Sequence, residues 1–568
     1  MFFRALCVTL FLVGAFSVSA QTAAPDYVAW DSVAQRAEIA VENGRASSSA
    51  LETLRSQIVE WRETFLTAQT SNKARIVTLK SQIEALGTPL EGVEEAADIA
   101  SRRAELNDQL QRLSTPIVAA EEAYSRADGV IKEIDRIIRE RQTSALLQGG
   151  PSPVNPVYWA PAIETLGKSP VAIVQETSTA LRSETQLKVF LQELPKIIVM
   201  SLIGLVLILR GRRWSHKIVD VLRRYTNRGS NVWRFVASLL QIFLPFTGLG
   251  FLAGAALDSG LIGLRGSLLL DQLPVFGLLL LGFWWLGGQL FPRSDDETIL
   301  PIGPSHRAEA RWYITASALI LIAAMILQSF ANYDNWSDAT RAVLGFPLLI
   351  LTGLVLFRLG ALLRGALIEP SEDDDGWLYR MRMSRLLGQL SMVIAVAGPV
   401  LAALGYGTAS ARLMFSFLAT MALFGLLLVL QGFIRDLYAF VMRKESTDDE
   451  SLIPVLMGFA LVIASLPVLA LIWGARWADI TEVWARFQEG FAIGDSRISP
   501  SDFLTFAVLF SVGYMATRLL QGAMRTTILP RTKLDAGGRN AIVSGIGYVG
   551  IFLAALIAIS AAGIDLSG

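Results

Sequence analysis

Apolar residues dominate the chain from about residue 195 onward, in runs long enough to cross a bilayer as helices. Roughly twenty apolar residues in a helix span the hydrocarbon core, where only helices or closed barrels satisfy the backbone. Because the runs are too long for barrel strands, the pattern predicts about ten spanning helices between residues 195 and 565. They lie at about 195–209, 233–256, 268–291, 312–331, 342–363, 386–405, 411–434, 452–473, 503–523 and 540–562.

A different pattern fills residues 25–190, where apolar positions recur at steps of three and four among charged residues. One series consists of Leu51, Leu54, Ile58, Trp61 and Phe65. A second consists of Leu106, Leu110, Leu113, Ile117, Tyr124, Ile131, Ile134 and Ile138. This spacing is typical of helices with one apolar seam, so it predicts a helical hairpin or bundle with coiled-coil packing. Pro116 is expected to kink or split the second helix.

The first twenty residues have the pattern of a secretory signal peptide. Arg4 is followed by the short apolar run 5–18, and Val18 and Ala20 occupy the −3 and −1 positions before Gln21. We therefore expect cleavage after residue 20, with an uncleaved anchor as the alternative. The resulting prediction is an all-α protein, with a periplasmic helical bundle followed by a polytopic membrane domain.

Lysine and arginine concentrate in every second loop of the predicted membrane domain. The loop after the first span carries Arg210, Arg212, Arg213, Lys217, Arg223, Arg224 and Arg228. Such loops stay in the cytoplasm, so the bias puts this end inside and the N-terminal domain outside. The signal peptide predicts the same orientation. We expect a multi-pass protein of the bacterial inner membrane.

Two loops combine aromatic and basic residues on one helical face. The residues expected to contact lipid are Trp214, Lys217, Arg223, Arg224, Trp477 and Trp484. Tryptophan favours the headgroup level, and cations near it attract anionic lipid. The alternative is ordinary packing along the interface.

Composition leaves little room for catalytic or metal chemistry. The chain of 568 residues is 52% hydrophobic, has no formal net charge, and holds one cysteine, Cys7, and two histidines, His216 and His306. A zinc site needs several converging soft ligands, and nucleic-acid binding needs a basic field. We therefore expect no enzyme activity, no cofactor, no metal and no nucleic-acid partner. Because the predicted spans hold no carboxylate near their middle, a proton- or sodium-coupled transporter is disfavoured.

The stretch SGIGYVG, residues 544–550, contains the spacing G-x-G-x-x-G. A dinucleotide-binding turn needs a preceding strand, but the preceding residues are polar and basic, and the stretch opens an apolar run. Wound as a helix, it forms a stripe of small residues that lets membrane helices approach closely. The stripe is Ser544, Gly547, Gly550, Ala554, Ala558 and Ala561.

Residues 528–568 resemble the segment that enters the channel core of the small-conductance mechanosensitive channel family. The matching elements are Pro530, Thr532, Asp535, Gly537, Arg539, Tyr548, Gly550 and the closing Gly563-Ile564-Asp565-Leu566. The resemblance implies a large bacterial member that senses bilayer tension and releases ions and small solutes on hypoosmotic stress. It further implies a homo-heptamer, a chain that ends before the pore helix, and a linker to that helix that includes Asp535 and Arg539.

Two other functions stay open on the sequence. A secondary transporter would need symmetric repeats and polar residues at mid-membrane, which the chain does not clearly show. A non-conducting scaffold or signalling subunit would use the periplasmic bundle to bind a partner. The expected partners are membrane lipids and, as the resemblance implies, further copies of the chain; a periplasmic partner is unknown.

Overall fold

The computed structural model separates into two compact units, Met1–Gly149 and Gly150–Gly568. The residues it describes are 25–70, 72–87, 96–225, 230–292, 303–365, 375–442, 452–493, 496–498, 500–525, 529 and 536–561. The predicted signal peptide lies outside these residues.

The described part of the first unit is helical. Its helices are α1 (Tyr27–Asn43), α2 (Ser48–Thr70), α3 (Lys73–Ala85) and α4 (Ala97–Leu147). Asp26 begins α1, because its carboxylate accepts hydrogen bonds from the Val28 and Ala29 amides, both at 3.0 Å. Gly44 ends α1 with φ of 63°, a left-handed conformation that glycine adopts without a Cβ penalty.

Helix α4 is continuous through Pro116, so the expected split does not occur. Its second half packs along α2, and α1 packs against both. The core contains Ile58 and Phe65 of α2 and Ile131 and Ile134 of α4, all at most 1% exposed. Burial of such side chains stabilises this unit, at about 1.5–3 kcal/mol for each large apolar group.

The buried face of α2 contains Leu51, Ile58 and Phe65 of the predicted seam, and two arginines besides. Arg55 and Arg62 are 4% and 2% exposed, whereas Leu54 and Trp61 are only partly buried. Both arginines point at acidic groups of α4, since Arg55 pairs with Asp135 and Arg62 pairs with Asp128. The heptad pattern did not predict that Arg55 and Arg62 are buried, because it is defined by apolar residues alone.

The second unit begins with a short linker, and twelve α-helices follow it among the described residues. Its α-helices are α5 (Trp159–Arg182), α6 (Glu184–Tyr225), α7 (Ser230–Asp258), α8 (Leu264–Leu290), α9 (Pro304–Tyr333), α10 (Asp338–Gly365), α11 (Asp375–Ala403), α12 (Gly407–Met442), α13 (Leu452–Trp473), α14 (Trp477–Glu489), α15 (Pro500–Ala523) and α16 (Ala536–Ala561). A single 3-10 turn, Pro156–Tyr158, precedes α5.

The linker belongs to the second unit because it is bonded to the turn between α11 and α12. The Gly150 amide donates to the Gly405 carbonyl at 2.9 Å, and the Ser152 hydroxyl donates to the Ala403 carbonyl at 2.6 Å. Residues 150–190, which the sequence grouped with the N-terminal domain, therefore pack with the spans.

Ten helices among the described residues are long and apolar enough to cross a membrane: α6 to α13, α15 and α16. The protein is thus a multi-pass membrane protein by the length and composition of its helices. The predicted first span, 195–209, is part of the longer helix α6, which continues without a break to Tyr225. The region around Trp214 is therefore an extension of that span and not a separate interfacial helix.

Glycines permit the closest contacts between these helices. A Cβ on Gly360 of α10 would lie 2.6 Å from the Gly388 carbonyl oxygen of α11, and a Cβ on Gly204 of α6 would lie 2.7 Å from that of Gly248 on α7. Neither position can carry a side chain without moving the backbone of its neighbour. Close approach of this kind is how membrane helices gain packing energy in lipid.

One short hairpin interrupts the helical architecture. Strands β1 (Phe491–Ile493) and β2 (Ser496–Ile498) are antiparallel, with Phe491 opposite Ile498. It joins α14 to α15. Among the described residues the protein is otherwise helical, as the sequence predicts.

Candidate functional site

Helices α15 and α16 form a hairpin that packs chiefly on itself. A Cβ on Gly513 would lie 2.6 Å from the Ala554 Cβ, and one on Gly550 would lie 2.4 Å from the Thr517 Cγ2. The Gln521 amide lies over Gly547 and donates to the Val543 carbonyl at 2.9 Å. The two helices therefore meet along small residues and can move as one body.

The structure places the predicted stripe of small residues only partly in this contact. Gly547, Gly550, Ala554 and Ala558 are buried or half-buried, and Ala558 is fully inaccessible. Ser544 and Ala561, at the two ends of the stripe, are exposed.

The opposite face of α16 presents large apolar side chains outward. Tyr548, Phe552 and Ile557 are 77%, 66% and 59% exposed. Helix α15 has the same character, and only 6% of its apolar window is buried. The share is 17% in α16, as in α7 and α8, and 6% again in α13, whereas it is 44% in α12 at the centre of the spans. The α15–α16 hairpin thus belongs with α13 among the less buried spans, and its main helix contact is internal.

Helix α14 immediately precedes this hairpin and is amphipathic. Trp477 and Trp484 are 68% and 58% exposed, and the Trp484 ring stacks on that of Phe487 with centroids 5.8 Å apart. Asp479 accepts hydrogen bonds from the Arg476 amide and guanidinium, which fixes the first turn. This arrangement suits a helix at the headgroup level, where tryptophan is favoured.

The six remaining predicted site residues have different placements. Trp214 is 39% exposed, and Lys217 is exposed too. Arg223 and Arg224 lie in the last turns of α6, and their side chains are outside the described residues, as is Asp535. Arg539 is half-buried in the first turn of α16 and has an interaction partner.

A polar cluster that the sequence did not predict connects α5 to the spans. Arg265 of α8 donates from Nε and Nη2 to one oxygen of Asp334, at 3.1 and 2.9 Å, and pairs with Glu176 of α5. The other Asp334 oxygen accepts from the Ser169 hydroxyl at 2.8 Å. The Tyr333 ring lies 5.1 Å from the Arg265 guanidinium carbon.

We call this cluster the α5 clamp. Each of its charged side chains is paired with one of opposite sign, and together they hold the amphipathic helix α5 against the ends of two spans. Arg265 lies in the first turn of α8, and Asp334 directly follows α9. Because successive spans run in opposite directions, both residues lie at the same end of the spans. The sequence alone could therefore have suggested that they pair. Glu176 could not have been found, because α5 was assigned to the other domain.

The described residues contain no group of three or more His, Cys, Asp or Glu side chains that could hold a metal ion. The His306 Nδ1 forms a hydrogen bond with the hydroxyl of its neighbour Ser305 at 3.1 Å.

Residues 117–179 match a family described as a protein of unknown function (DUF3772). No curated protein and no solved structure matches the chain. The matched segment covers the end of α4, the linker and nearly all of α5, so it includes Ser169 and Glu176 of the α5 clamp.

This comparison corrects the resemblance seen in residues 528–568. The assignment to the small-conductance mechanosensitive channel family is wrong, because the match falls on another segment and on a family without an assigned function. Small residues, proline and arginine recur near the ends of membrane helices for packing and anchoring reasons alone. The heptamer, which depended only on the resemblance, is withdrawn with it.

Proposed function

We propose that this protein senses lateral tension in the inner membrane and couples it to the release of ions and small solutes during hypoosmotic swelling. The observation that carries the proposal is the contrast between the packed centre of the spans and the α15–α16 hairpin. The apolar window of α12 is 44% buried, whereas those of α15 and α16 are 6% and 17% buried, so lipid would cover most of the hairpin. A change in lipid packing would act on the hairpin as a pair, because the main contact of its two helices is with each other.

Tension favours states that occupy a larger area in the membrane plane, and it thins the bilayer. A helix pair with few protein neighbours can tilt at a low cost in free energy, because the tilt breaks few protein contacts and the surrounding lipid rearranges. The close α15–α16 contact keeps the pair together during that tilt. Trp477 and Trp484 of α14 would anchor its outer end at the headgroups.

The proposed orientation puts the first unit in the periplasm. Its support is the excess of basic residues at the end of the spans where α6 ends, together with the signal-peptide pattern. To test it, Cys7→Ser is combined with Asn332→Cys at one end of α9 or Ser305→Cys at the other. A membrane-impermeant thiol reagent on intact spheroplasts should label the first variant, and the second only after permeabilisation. The reverse labelling would refute the orientation.

The tension response is tested by distance measurements in reconstituted full-length protein. Spin labels at Thr408→Cys on α12 and Ser560→Cys on α16, in the Cys7→Ser background, report on the hairpin relative to the centre. Asn332→Cys with Thr408→Cys provides a matched pair within the centre. Adding lysolipid to one leaflet should shift the 408–560 distance and leave the 332–408 distance unchanged.

An unchanged 408–560 distance, or an equal shift of both pairs, would refute tension sensing by the hairpin. Patch recordings of the reconstituted protein under suction then test the coupling to solute release. Current that rises with suction is expected. Movement of the hairpin without any current would limit the function to sensing.

A second candidate is a membrane scaffold that binds a partner through its first unit. The observation that favours it is an open polar cleft of about 720 Å³ in that unit, lined by charged side chains of α1 and α4. They include Glu42, Glu133, Arg136, Glu140 and Arg141. A scaffold would show no tension-dependent distance, so the same spin-label experiment separates the two.

A further inference from the structure

A cavity of about 400 Å³ lies among helices α8 to α13. We call it the inner cavity. Representative lining residues are Leu286, Ile314, Leu362, Leu387, Met421 and Leu461, one from each of the six helices. Its volume falls within the range of about 300–1,000 Å³ that is typical of small-molecule sites. It is a partly open recess and not an enclosed void, so it is accessible to an occupant from outside the helices.

The lining calls for an apolar occupant. Its polar side chains are Ser317, Ser384 and Gln431, and the rest are aliphatic or aromatic apart from glycine. The Ser317 hydroxyl already donates to the Tyr313 carbonyl at 2.9 Å, and Ser384 has a partner as well. The buried side-chain polar atoms that have no hydrogen-bond partner among the described residues lie elsewhere. Gln431 is exposed, so it lies toward the surface, and the buried part of the lining offers a polar ligand only the two serine hydroxyls.

The inner cavity opens sideways between α11 and α13. Met383, Phe424 and Val462 line it and are also 41%, 39% and 44% exposed. Because these residues belong to spanning helices, the surface on which the cavity opens faces the hydrocarbon region. An occupant can enter from the membrane without passing through water.

The lining also lies toward one end of the spans. It uses the last turns of α8 and α10, the first half of α9, α11 and α13, and the middle of α12. This is the end at which basic residues collect. Exposed arginines are next in sequence to lining residues there, since Arg364 follows Leu363, Arg382 precedes Met383 and Arg385 follows Ser384. Cations at the mouth of an apolar cavity complement an anionic headgroup above an apolar tail.

We infer that the inner cavity binds an acyl chain of an anionic phospholipid, taken from the leaflet at the basic end of the spans. The apolar lining takes the chain, the lateral opening admits it, and the arginines at the rim hold the headgroup. A lipid occupant fits all three features. A soluble ligand would have to cross the headgroups, and a protein segment would not need an opening toward lipid. The inference is independent of tension sensing.

The test uses full-length protein in nanodiscs that contain phosphatidylglycerol with a diazirine in one acyl chain. Photolysis and peptide mapping should place label on cavity-lining residues such as Met421 and Leu461. Ala422→Phe fills the cavity and should lower that labelling by about tenfold, since it removes a buried apolar contact. Ala464→Phe, on the exposed face of α13, is the matched control and should leave it unchanged.

Met421→Trp is a second cavity-filling variant, which keeps the test valid if Ala422→Phe fails to fold. The thermal stability of each variant is measured in parallel. A phosphatidylcholine probe with the same acyl chain should label the cavity less, and Arg382→Gln with Arg385→Gln should abolish that difference. Label spread evenly over lipid-facing residues, or undiminished in both filling variants, would overturn the acyl-chain site. Equal labelling by the two headgroups would overturn the anionic preference.

Discussion

Arg55 of α2 and Asp135 of α4 form a two-point ion pair inside the first unit. Arg55 Nε donates to Oδ1 at 2.8 Å and Nη2 donates to Oδ2 at 3.2 Å, with side chains only 5% and 8% exposed. Charges leave water at a high cost, so such a pair persists only when both partners are present. It specifies how α2 and α4 align, because a shift along either helix would leave a buried charge alone.

Removing one partner should therefore strongly destabilise this unit. Asp135→Asn is expected to lower its free energy of unfolding by about 3–5 kcal/mol, because buried Arg55 loses the ionised carboxylate that accepts from its Nε and Nη2. Asp108→Asn on the same helix breaks an exposed pair with Arg112 and should cost at most about 0.5 kcal/mol. The measurement is the urea midpoint for proteolysis of residues 25–147 in the full-length protein.

Replacing both partners by apolar residues distinguishes the two contributions. Arg55→Met combined with Asp135→Leu should recover most of the stability lost in Asp135→Asn, because no unpaired charge remains. If the double variant were as unstable as the single one, specific bonding and not burial of charge would be the main contribution.

The stability of the first unit should depend on pH through Glu38. A hydrogen bond from Arg126, opposed by some desolvation, holds the pKa of Glu38 below its ordinary value near 4.5. A carboxyl with a depressed folded-state pKa adds stability above its unfolded pKa and loses it as pH falls through the folded pKa. Wild type should thus exceed Glu38→Gln in melting temperature at pH 7, and the difference should vanish in acid.

Melting of residues 25–147 is followed by proteolysis at rising temperature, with peptides identified by mass spectrometry. Glu121→Gln, an exposed position on α4, provides the matched control. A difference between wild type and Glu38→Gln that persisted unchanged down to pH 3 would contradict this assignment.

The α15–α16 contact predicts that substitution of two glycines of α16 by leucine will affect helix packing differently. Gly550→Leu would push a branched side chain into Thr517, and overpacking of this kind costs about 1–3 kcal/mol. Gly545→Leu meets nothing within 4 Å and should be tolerated. Disulfide yield between Gly513→Cys and Ala554→Cys, in the Cys7→Ser background, measures the contact. Equal yields in both leucine variants would show that the helices do not pack as described.

The α5 clamp predicts that one carboxylate holds α5 in place. Asp334→Asn weakens both hydrogen bonds from Arg265, and bonds to charged groups are worth about 1.5–3 kcal/mol. Hydrogen exchange in α5 peptides should therefore quicken by about tenfold or more. Lys168→Gln on α5, which breaks the exposed pair with Glu164, should leave exchange unchanged. Equal protection in wild type and Asp334→Asn would refute the clamp.

The spans could be located from the sequence because a bilayer imposes one simple requirement on every helix that crosses it. Ten apolar runs gave ten helices of spanning length among the described residues. Their ends were less accurate, as α6 shows, because a helix continues past the hydrocarbon as long as its backbone bonds are satisfied.

The partners of individual side chains could not be predicted in the same way. Arg55 reads as a solvated residue until α4 places Asp135 against it, 80 positions along the chain. Arg265 and Asp334 read as loop charges until α5 is seen to lie beside them. Such pairs depend on which helices become neighbours, and helix neighbours are chosen by packing that hydropathy does not encode.

The sequence by itself determined where the chain is apolar enough for lipid, and where a charged helical domain precedes it, because both depend on local composition and period. Only the tertiary structure decided which small residues on α16 face Gly513 and Thr517, and where the inner cavity remains. Those features arise from the shapes of several helices fitted together, so they exist only after the helices have packed.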